Sequence, residues 1–326
     1  MEIFPKDYCI FIASHLKNAN RIPYLCECIT SLIQQHMKIT IHLSISFETP
    51  DLISELDKQL QNNNAIITCG FLNIYRRTEK TSQMLHFYLL LETCKNIHEW
   101  IMFCDDDDTY EQNRTFHIAQ IITTAKQQMT NKNTNQLHLA GVYESTFGKS
   151  HRQHRHEYWC YCVNKKLLED FYRVVHMHPE VLNDKCCDVL FAEYLRRKSN
   201  DWIFLQLPVK YYNYRIENNA DSVTGYIKSK QSKYTLTTKP PDFASDAWAE
   251  YVFEWNDYVH ENMPGFLHDT YLRSIVGCSL DAILQSEFLA NYPLLPFVDK
   301  DHEEKISNKH TYLREVCNQL YDIKLL

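Results

Sequence analysis

The sequence predicts an α/β fold in which a largely parallel sheet is covered by helices. Three observations carry this expectation. Short apolar runs alternate with longer stretches whose apolar residues recur at helical spacing. The first three such alternations precede the chain's most charged run, Asp105 to Asp108. That run follows directly on an apolar segment, Trp100 to Cys104, and ligands of such sheets gather beyond the carboxyl ends of the strands.

In chain order, residues 8–14 read as a first buried strand, and Asn18 to Asn20 offer helix-start chemistry. Ile22, Leu25, Ile29, Leu32 and Ile33 then fall at helical spacing. Residues 39–46 are β-branched and predict a second strand. Pro50 and Asp51 open a helix carrying Leu52, Ile53, Leu56 and Leu60. Residues 65–68 predict a short third strand and 81–96 a strongly apolar helix through Met84, Leu85, Tyr88 and Leu91. The acidic strand is therefore the fourth. A helix follows Asn113, a strand spans 137–143, and a basic, His-rich loop holds His151, His154 and His156. Residues 158–163 predict a strand, 165–175 and 188–197 helices, and 202–207 a last strand ending at Pro208. From about 225 the pattern changes: 228–239 is a polar linker, and helices are expected at 279–289 and 312–320. The domains expected are 1–227, carrying the chemistry, and 228–326, a helical appendage.

Composition narrows the function. A chain of 326 residues buries a full core, as one large domain or two smaller ones. The net charge of −7 argues against a nucleic-acid binder, which needs excess Lys and Arg. The 6 Gly are too few for collagen-like or low-complexity architecture, and no glycine-rich phosphate loop is present. Among the 12 Cys, Cys9, Cys69 and Cys104 lie inside apolar runs and read as small core residues. No Cys-x-x-Cys pair occurs, which suits reduced thiols and a cytoplasmic setting. No stretch is long enough to be a transmembrane segment, and no basic segment precedes an apolar one at the N-terminus.

Four adjacent carboxylates at a strand end repel one another, so an opposing charge is required; a divalent cation shared with a phosphate-bearing ligand is the candidate. Along an extended backbone Asp105 and Asp107 face one way and Asp106 the other. Mn²⁺ or Mg²⁺ suits hard carboxylate oxygens and would neutralise a departing diphosphate. The competing reading is a solvated acidic turn.

These residues carry a resemblance. Ile10-Phe-Ile-Ala-Ser14, Arg21 with Leu25, Cys28-Ile-Thr-Ser-Leu-Ile-Gln-Gln35, Phe103-Cys-Asp-Asp-Asp-Asp-Thr-Tyr110 and the segment from Tyr212 to Thr224 resemble the motifs of a GT-A fold glycosyltransferase. The likeness is to the family-2-like group, including viral and bacterial members, and covers roughly residues 7–225. It implies a Rossmann-like mixed sheet flanked by helices, a nucleotide-diphosphate sugar donor (a UDP-sugar favoured), and a glycan or other hydroxyl acceptor. It also implies Mn²⁺ or Mg²⁺. By resemblance, Ser14 and the turn ending at Glu48 would border base and ribose, and Lys80 and Gln83 would contact the diphosphate or base. Asp107 would be the main metal ligand, with Asp105 and Asp108 completing the set. Asp105 and Asp106 would contact ribose and sugar, and Arg215 would lie near the phosphates. Inverting members use a carboxylate base leading into a helix, which points to Asp188, with Asp184 as the second candidate. The chain departs from the family in having Ser46-Phe-Glu-Thr after the second strand, and in lacking the late His near Glu217.

Each residue also has a plainer reading. Asp184 and Asp188 suit a helix start; Lys80 and Arg215 suit a solvated surface, and Ser14 a strand-end turn. Trp159 reads chiefly as core. His151, His154 and His156 with Cys160 and Cys162 fit no standard zinc spacing. The acidic run also fits an aspartate-nucleophile phosphatase, with Asp105 attacking phosphorus and Asp107 as general acid, although that motif normally opens its domain. A non-catalytic nucleotide-sugar-binding module is the third alternative.

Overall fold

The structure is a computed structural model that describes residues 6–94, 96–131, 138–144, 157–184, 187–197, 202–215, 312 and 315–320. The His-rich loop, the segment from 216 to 224, the polar linker and the helix expected at 279–289 lie outside the described residues. The chain divides into two compact units, one of residues 1–183 with 191–215 and one of residues 184–190 with 216–326.

The first unit holds a seven-stranded mixed sheet. Its strands are β1 (Tyr8–Leu16), β2 (Thr40–Phe47), β3 (Leu72–Arg76), β4 (Trp100–Asp105), β6 (His138–Glu144), β7 (Tyr161–Asn164) and β8 (Trp202–Leu207). Their order is β3-β2-β1-β4-β7-β6-β8, and β7 alone runs against the others. A separate two-stranded ribbon pairs β5 (Thr109–Tyr110) with β9 (Tyr212–Asn213). The helices are α1 (Ile22–Ile33), α2 (Asp51–Gln61), α3 (Asn64–Ile67), α4 (Gln83–Cys94), α5 (Arg114–Asn131), α6 (Lys165–Val175), α7 (Pro179–Leu182) and α8 (Cys187–Arg197). The mixed α/β sheet flanked by helices that the sequence led us to expect is the fold that forms.

One expected strand is wrong. Residues 65–67 fall in α3, a single helical turn with Thr68 as its C-cap, and the third strand is β3, several residues later. Asn63 explains the shift: its side chain accepts hydrogen bonds from the backbone N–H of Ala65 and Ile66, so it caps a turn that the β-branched pair Ile66-Ile67 does not reveal. The 158–163 strand is also shorter than expected, because residues Tyr158–Cys160 form a 3₁₀ turn before β7. Elsewhere the pattern is followed closely. Asn18 caps the turn Ala19–Arg21, and Pro23 then sits in the first turn of α1, where its missing N–H costs nothing. The α1 face Ile22, Leu25, Ile29 and Leu32 is buried, as helical spacing requires.

Strands β1, β2 and β4 are almost wholly buried, as in a sheet covered on both sides; β1 and β4 are chiefly apolar, while β2 alternates Ile41, Leu43, Ile45 and Phe47 with Thr40, His42, Ser44 and Ser46. Phe87, Phe103, Tyr158, Phe171 and Phe191 pack edge-on or tilted against one another beneath this region. One glycine is demanded by geometry. Gly141, at an irregularity in the β6–β8 register, has φ of +149°, and a Cβ there would stand 1.9 Å from the Cys162 carbonyl oxygen.

The carboxyl ends of β2, β1 and β4 lie side by side: Ala13 pairs with Asp105, and His15 with Ser46. The strand order reverses between β1 and β4, so the acidic run stands at the sheet's switch point.

Candidate active site at the carboxyl rim

The rim is built from four short stretches: Ser14-His15, Ser46 to Glu48, Lys80 to Gln83 and Asp105 to Asp108. β4 ends at Asp105, and the chain turns at once, with the Asp108 N–H donating to the Asp105 carbonyl at 3.2 Å. Asp105 and Asp107 are part-exposed, whereas Asp106 and Asp108 are buried. The alternation expected of an extended chain thus survives in exposure through the turn.

Each carboxylate has its own partners. Gln83 Nε2 donates to Asp105 Oδ1 at 2.9 Å, and the Tyr158 hydroxyl donates to the same oxygen. Ser14 Oγ donates to Asp106 Oδ2 at 2.6 Å. Arg21 bridges two neighbours, with Nη2 2.6 Å from Asp106 Oδ1 and Nη1 3.2 Å from Asp107 Oδ2. Asp108 takes the Tyr212 hydroxyl at 2.8 Å and the Arg215 backbone N–H at 2.7 Å. Burial pushes the Asp108 carboxyl up to about 7, against the pull of those two hydrogen bonds. Burial also pushes Asp106 upward, and the Arg21 guanidinium opposes it.

The charge that four acids require is therefore supplied in part by the protein itself. Arg21 is 12 % exposed at its side chain, and its guanidinium pKa is raised by Asp106 and Asp107 against the effect of burial. Sequence reasoning placed Arg21 in a motif but gave it no task. The signal was available: Arg21 is a cation in the connection after β1, the strand beside the acidic one.

Behind the acidic turn lies a rigid support. The Tyr212 hydroxyl accepts from the Asp105 N–H at 3.0 Å while donating to Asp108, and the Tyr110 hydroxyl donates to the Phe103 carbonyl at 2.6 Å. Both tyrosines belong to the β5–β9 ribbon. Arg114, fully buried, lies 4.0 Å over the Tyr110 ring, pairs with Glu144 and donates to the Trp159 carbonyl at 2.8 Å. Glu144 Oε2 in turn accepts the backbone N–H of Tyr211 at 2.8 Å and of Tyr212 at 3.0 Å. Trp159 stacks on Tyr212 at 4.2 Å and is 3 % exposed, so it is core.

Toward solvent the rim carries mixed charge. His15 contacts Ser46 Oγ through Nδ1 and Glu48 Oε2 through Nε2, each at 2.9 Å. Lys80 Nζ lies 3.2 Å from Glu48, and the hydrogen bonds from His15 and Lys80 lower the Glu48 pKa. The Arg215 side chain pairs with Glu27 at 2.7 Å and lies 4.8 Å over the Tyr24 ring. Of the sequence-predicted residues, Ser14, Gln83, Asp105, Asp106, Asp107, Asp108 and the Arg215 backbone are linked in one network, and Glu48 and Lys80 form its exposed edge. Asp188 lies in the first turn of α8, and the Asp184 carbonyl accepts from the Cys187 N–H at 3.1 Å; both belong to the second unit.

The donor set fits a hard divalent cation. Two part-exposed carboxylates at a strand end match the one or two that Mg²⁺ or Mn²⁺ takes from a protein when phosphates supply the rest. Asp108 offers less, since both of its oxygens already accept hydrogen bonds. A cavity of about 690 Å³ opens at the opposite end of the strands, lined by Asp7, His98, Glu99, Lys126 and Trp202 among others; it is remote from these carboxylates. No helix among the described residues is long and apolar enough to cross a membrane.

No protein-family model and no curated protein matches the chain. Among solved structures the chain is similar to Staphylococcus aureus TarS, at 12 % identity and a TM-score of 0.44, over 97 % of this chain and 54 % of that one. It thus spans about half the length of that protein. It is also similar to the mannosyltransferase PcManGT of Pyrobaculum calidifontis, solved with GDP-Man and Mn²⁺ (13 % identity, TM-score 0.44, 96 % of this chain and 87 % of that one). A third likeness is to 4-diphosphocytidyl-2C-methyl-D-erythritol synthase of Anaerococcus prevotii (13 % identity, TM-score 0.41, 69 % and 98 %).

Proposed function

We propose that the protein is a metal-dependent glycosyltransferase that moves a sugar from a nucleotide-diphosphate donor, a UDP-sugar in the favoured case, to a hydroxyl of a glycan or other acceptor. The observation that supports this most is the linked network of Ser14, Arg21, Gln83 and the four aspartates at the switch point of the sheet. It combines a part-exposed carboxylate pair with an adjacent guanidinium, which suits a metal-bound diphosphate better than a neutral substrate.

In this reading Asp107, aided by Asp105, holds Mn²⁺ or Mg²⁺, and the ion supplies charge neutralisation to the departing diphosphate. Arg21 is placed to share its charge between Asp107 and a diphosphate oxygen. Asp106, fixed by Ser14 and Arg21, and Asp105, fixed by Tyr158 and Gln83, present oriented acceptors to the hydroxyls of ribose and sugar. Preorganised acceptors cost little reorganisation when the substrate arrives. Ser14 and Glu48 border the base and ribose, and Lys80, Gln83 and Arg215 serve the anionic portion. Asp108 acts by holding Tyr212 and Arg215 in place and is the third candidate ligand. Asp188 is the base that takes the acceptor proton in an inverting transfer, with Asp184 as the alternative. The setting proposed is cytoplasmic.

Turnover of UDP-sugars with Mn²⁺ tests the reading. Asp107→Ala is expected to remove metal-dependent turnover while the unfolding midpoint stays within a few degrees. Asp188→Asn is expected to keep donor binding and lose transfer. Release of phosphate from p-nitrophenyl phosphate, blocked by fluoroberyllate and without any sugar transfer, would overturn the assignment in favour of a phosphatase.

A further inference from the structure

At the amino ends of β1, β2 and β4, far along the strands from the acidic rim, a second group of polar side chains is sealed in the core. Cys9 on β1, His42 on β2, Cys94 at the end of α4 and His98 just before β4 are 0 %, 3 %, 3 % and 5 % exposed. One ligand atom from each of Cys9, His42 and His98 lies within 4.8 Å of the others. His42 Nε2 stands 2.9 Å from His98 Nε2, and Cys94 Sγ stands 3.6 Å from His42 Nε2. Nothing in the rim's chemistry uses these groups.

We propose that Cys9, His42 and His98 form the core of a structural zinc site, with Cys94, which lies against the His42 ring outside that group of three, turning in as the fourth ligand. Two sulfurs and two imidazole nitrogens are the soft, four-ligand set that selects Zn²⁺ over the hard ions suited to carboxylates. In a tetrahedral site with Zn–S of about 2.3 Å and Zn–N of about 2.1 Å, neighbouring ligand atoms stand roughly 3.4 to 3.8 Å apart. The two histidine nitrogens need to part by only about 0.5 Å to reach that spacing, whereas Cys94 Sγ, 3.5 Å from His42 Nδ1 and 3.6 Å from Nε2, must turn toward Cys9 and His98 to complete the set.

The surrounding hydrogen bonds favour the ligating tautomers. His98 Nδ1 lies 2.7 Å from the Lys6 carbonyl, so it carries the proton, and Nε2 presents its lone pair inward. A backbone carbonyl on the far nitrogen is the usual support of a metal-bound histidine. His42 Nδ1 lies 3.2 Å from the Tyr75 hydroxyl. Without metal, His42 Nε2–H donates to His98 and Nδ1 accepts from Tyr75. With zinc bound, the His42 proton moves to Nδ1 and is donated to the Tyr75 oxygen. The thiols of Cys9 and Cys94 release their two protons to solvent, so Zn²⁺ replaces two H⁺. The imidazoles are already neutral, since burial pushes His42 down to about 4 and lowers His98. His98 lines the cavity of about 690 Å³ at this end of the strands, which gives the ion a route inward. Three segments distant in sequence would be cross-linked, around Cys9, His42 and Cys94 to His98, so the ion would act as a staple of β1, β2 and the end of α4.

Metal analysis of the full chain purified under reducing conditions, together with Co²⁺ added to the chelator-stripped protein, tests the site. The expected result is about one zinc per chain, and with Co²⁺ both tetrahedral d–d bands and a thiolate-to-metal charge-transfer band, which carboxylates cannot give. Asp107→Ala should keep both signals. His98→Gln should weaken zinc binding at least tenfold, and Cys94→Ser should lower the charge-transfer intensity. Wild-type protein without stoichiometric zinc and without a Co²⁺ charge-transfer band would overturn the proposal, even if the variants failed to fold. So would a charge-transfer band unchanged in a folded Cys9→Ser, Cys94→Ser double variant.

Discussion

The two ends of the central strands solve the problem of buried polarity in opposite ways. At the carboxyl rim four carboxylates stand together with one guanidinium, and two of them remain part-exposed. At the amino end two histidines and two thiols are neutral, sealed and joined by hydrogen bonds to Tyr75 and Lys6. At the rim Asp106 and Asp107 share the Arg21 guanidinium, while Asp105 and Asp107 stay part-exposed, an arrangement open to a divalent cation. The amino end is satisfied by itself, so any ion it holds is a fixture. The same strands thus carry a working surface of hard oxygens and a base of soft nitrogen and sulfur.

Breaking the support of the rim should have the largest effect. Arg114→Met leaves Glu144 buried without its guanidinium, and the expected loss is about 3–5 kcal/mol, read by urea unfolding. A loss below about 1 kcal/mol would mean that the β5–β9 ribbon is not held by this pair. A smaller and more specific effect is expected of Arg21→Gln. Removing the cation leaves Asp106 and Asp107 facing each other and should cost about 1–3 kcal/mol. Added Mn²⁺ should then raise the unfolding midpoint more in this variant than in wild type. An equal shift in both would separate Arg21 from the metal locus.

The smallest effect at neutral pH belongs to the buried stripe between the two ends. His86 lies 2.8 Å from Ser44 Oγ and 3.2 Å from Ser46 Oγ, and burial pushes its pKa down to about 3, with Arg77 adding to the effect. The unfolded chain therefore binds a proton that the folded one refuses between about pH 6.5 and 3. Stability should fall as pH drops through that window, and His86→Asn should flatten the slope of the unfolding free energy against pH. An unchanged slope would assign the acid sensitivity to other groups.

Much of the rim was legible in the sequence because its residues lie in local patterns. Apolar runs announced β1 and β4, β-branched residues announced β2, and the strand order placed Ser14, Ser46 and Asp105 on one edge. The third strand was missed because Asn63 caps a helical turn through side-chain hydrogen bonds, which outweigh the strand preference of Ile66 and Ile67. The task of Arg21 was hidden because a cation's partner is set by tertiary folding, here across 85 and 86 residues. The amino-end cluster left no trace in the sequence. Positions 9, 42, 94 and 98 have no finger-like spacing, and Cys9 reads as an ordinary core residue within its apolar run. Only the alignment of β1 with β2, and of α4 above them, brings the four together.

The central claim is that the carboxyl rim is a metal-dependent nucleotide-sugar site. A crystal structure with a UDP-sugar and Mn²⁺ tests it most directly, with the ion located by its anomalous signal. The account predicts Mn²⁺ held by the carboxylates of Asp107 and Asp105, with the donor diphosphate beside it and Arg21 turned toward the phosphates. Mn²⁺ and nucleotide found away from Asp105 and Asp107, or a rim that stays empty at saturating donor, would contradict it.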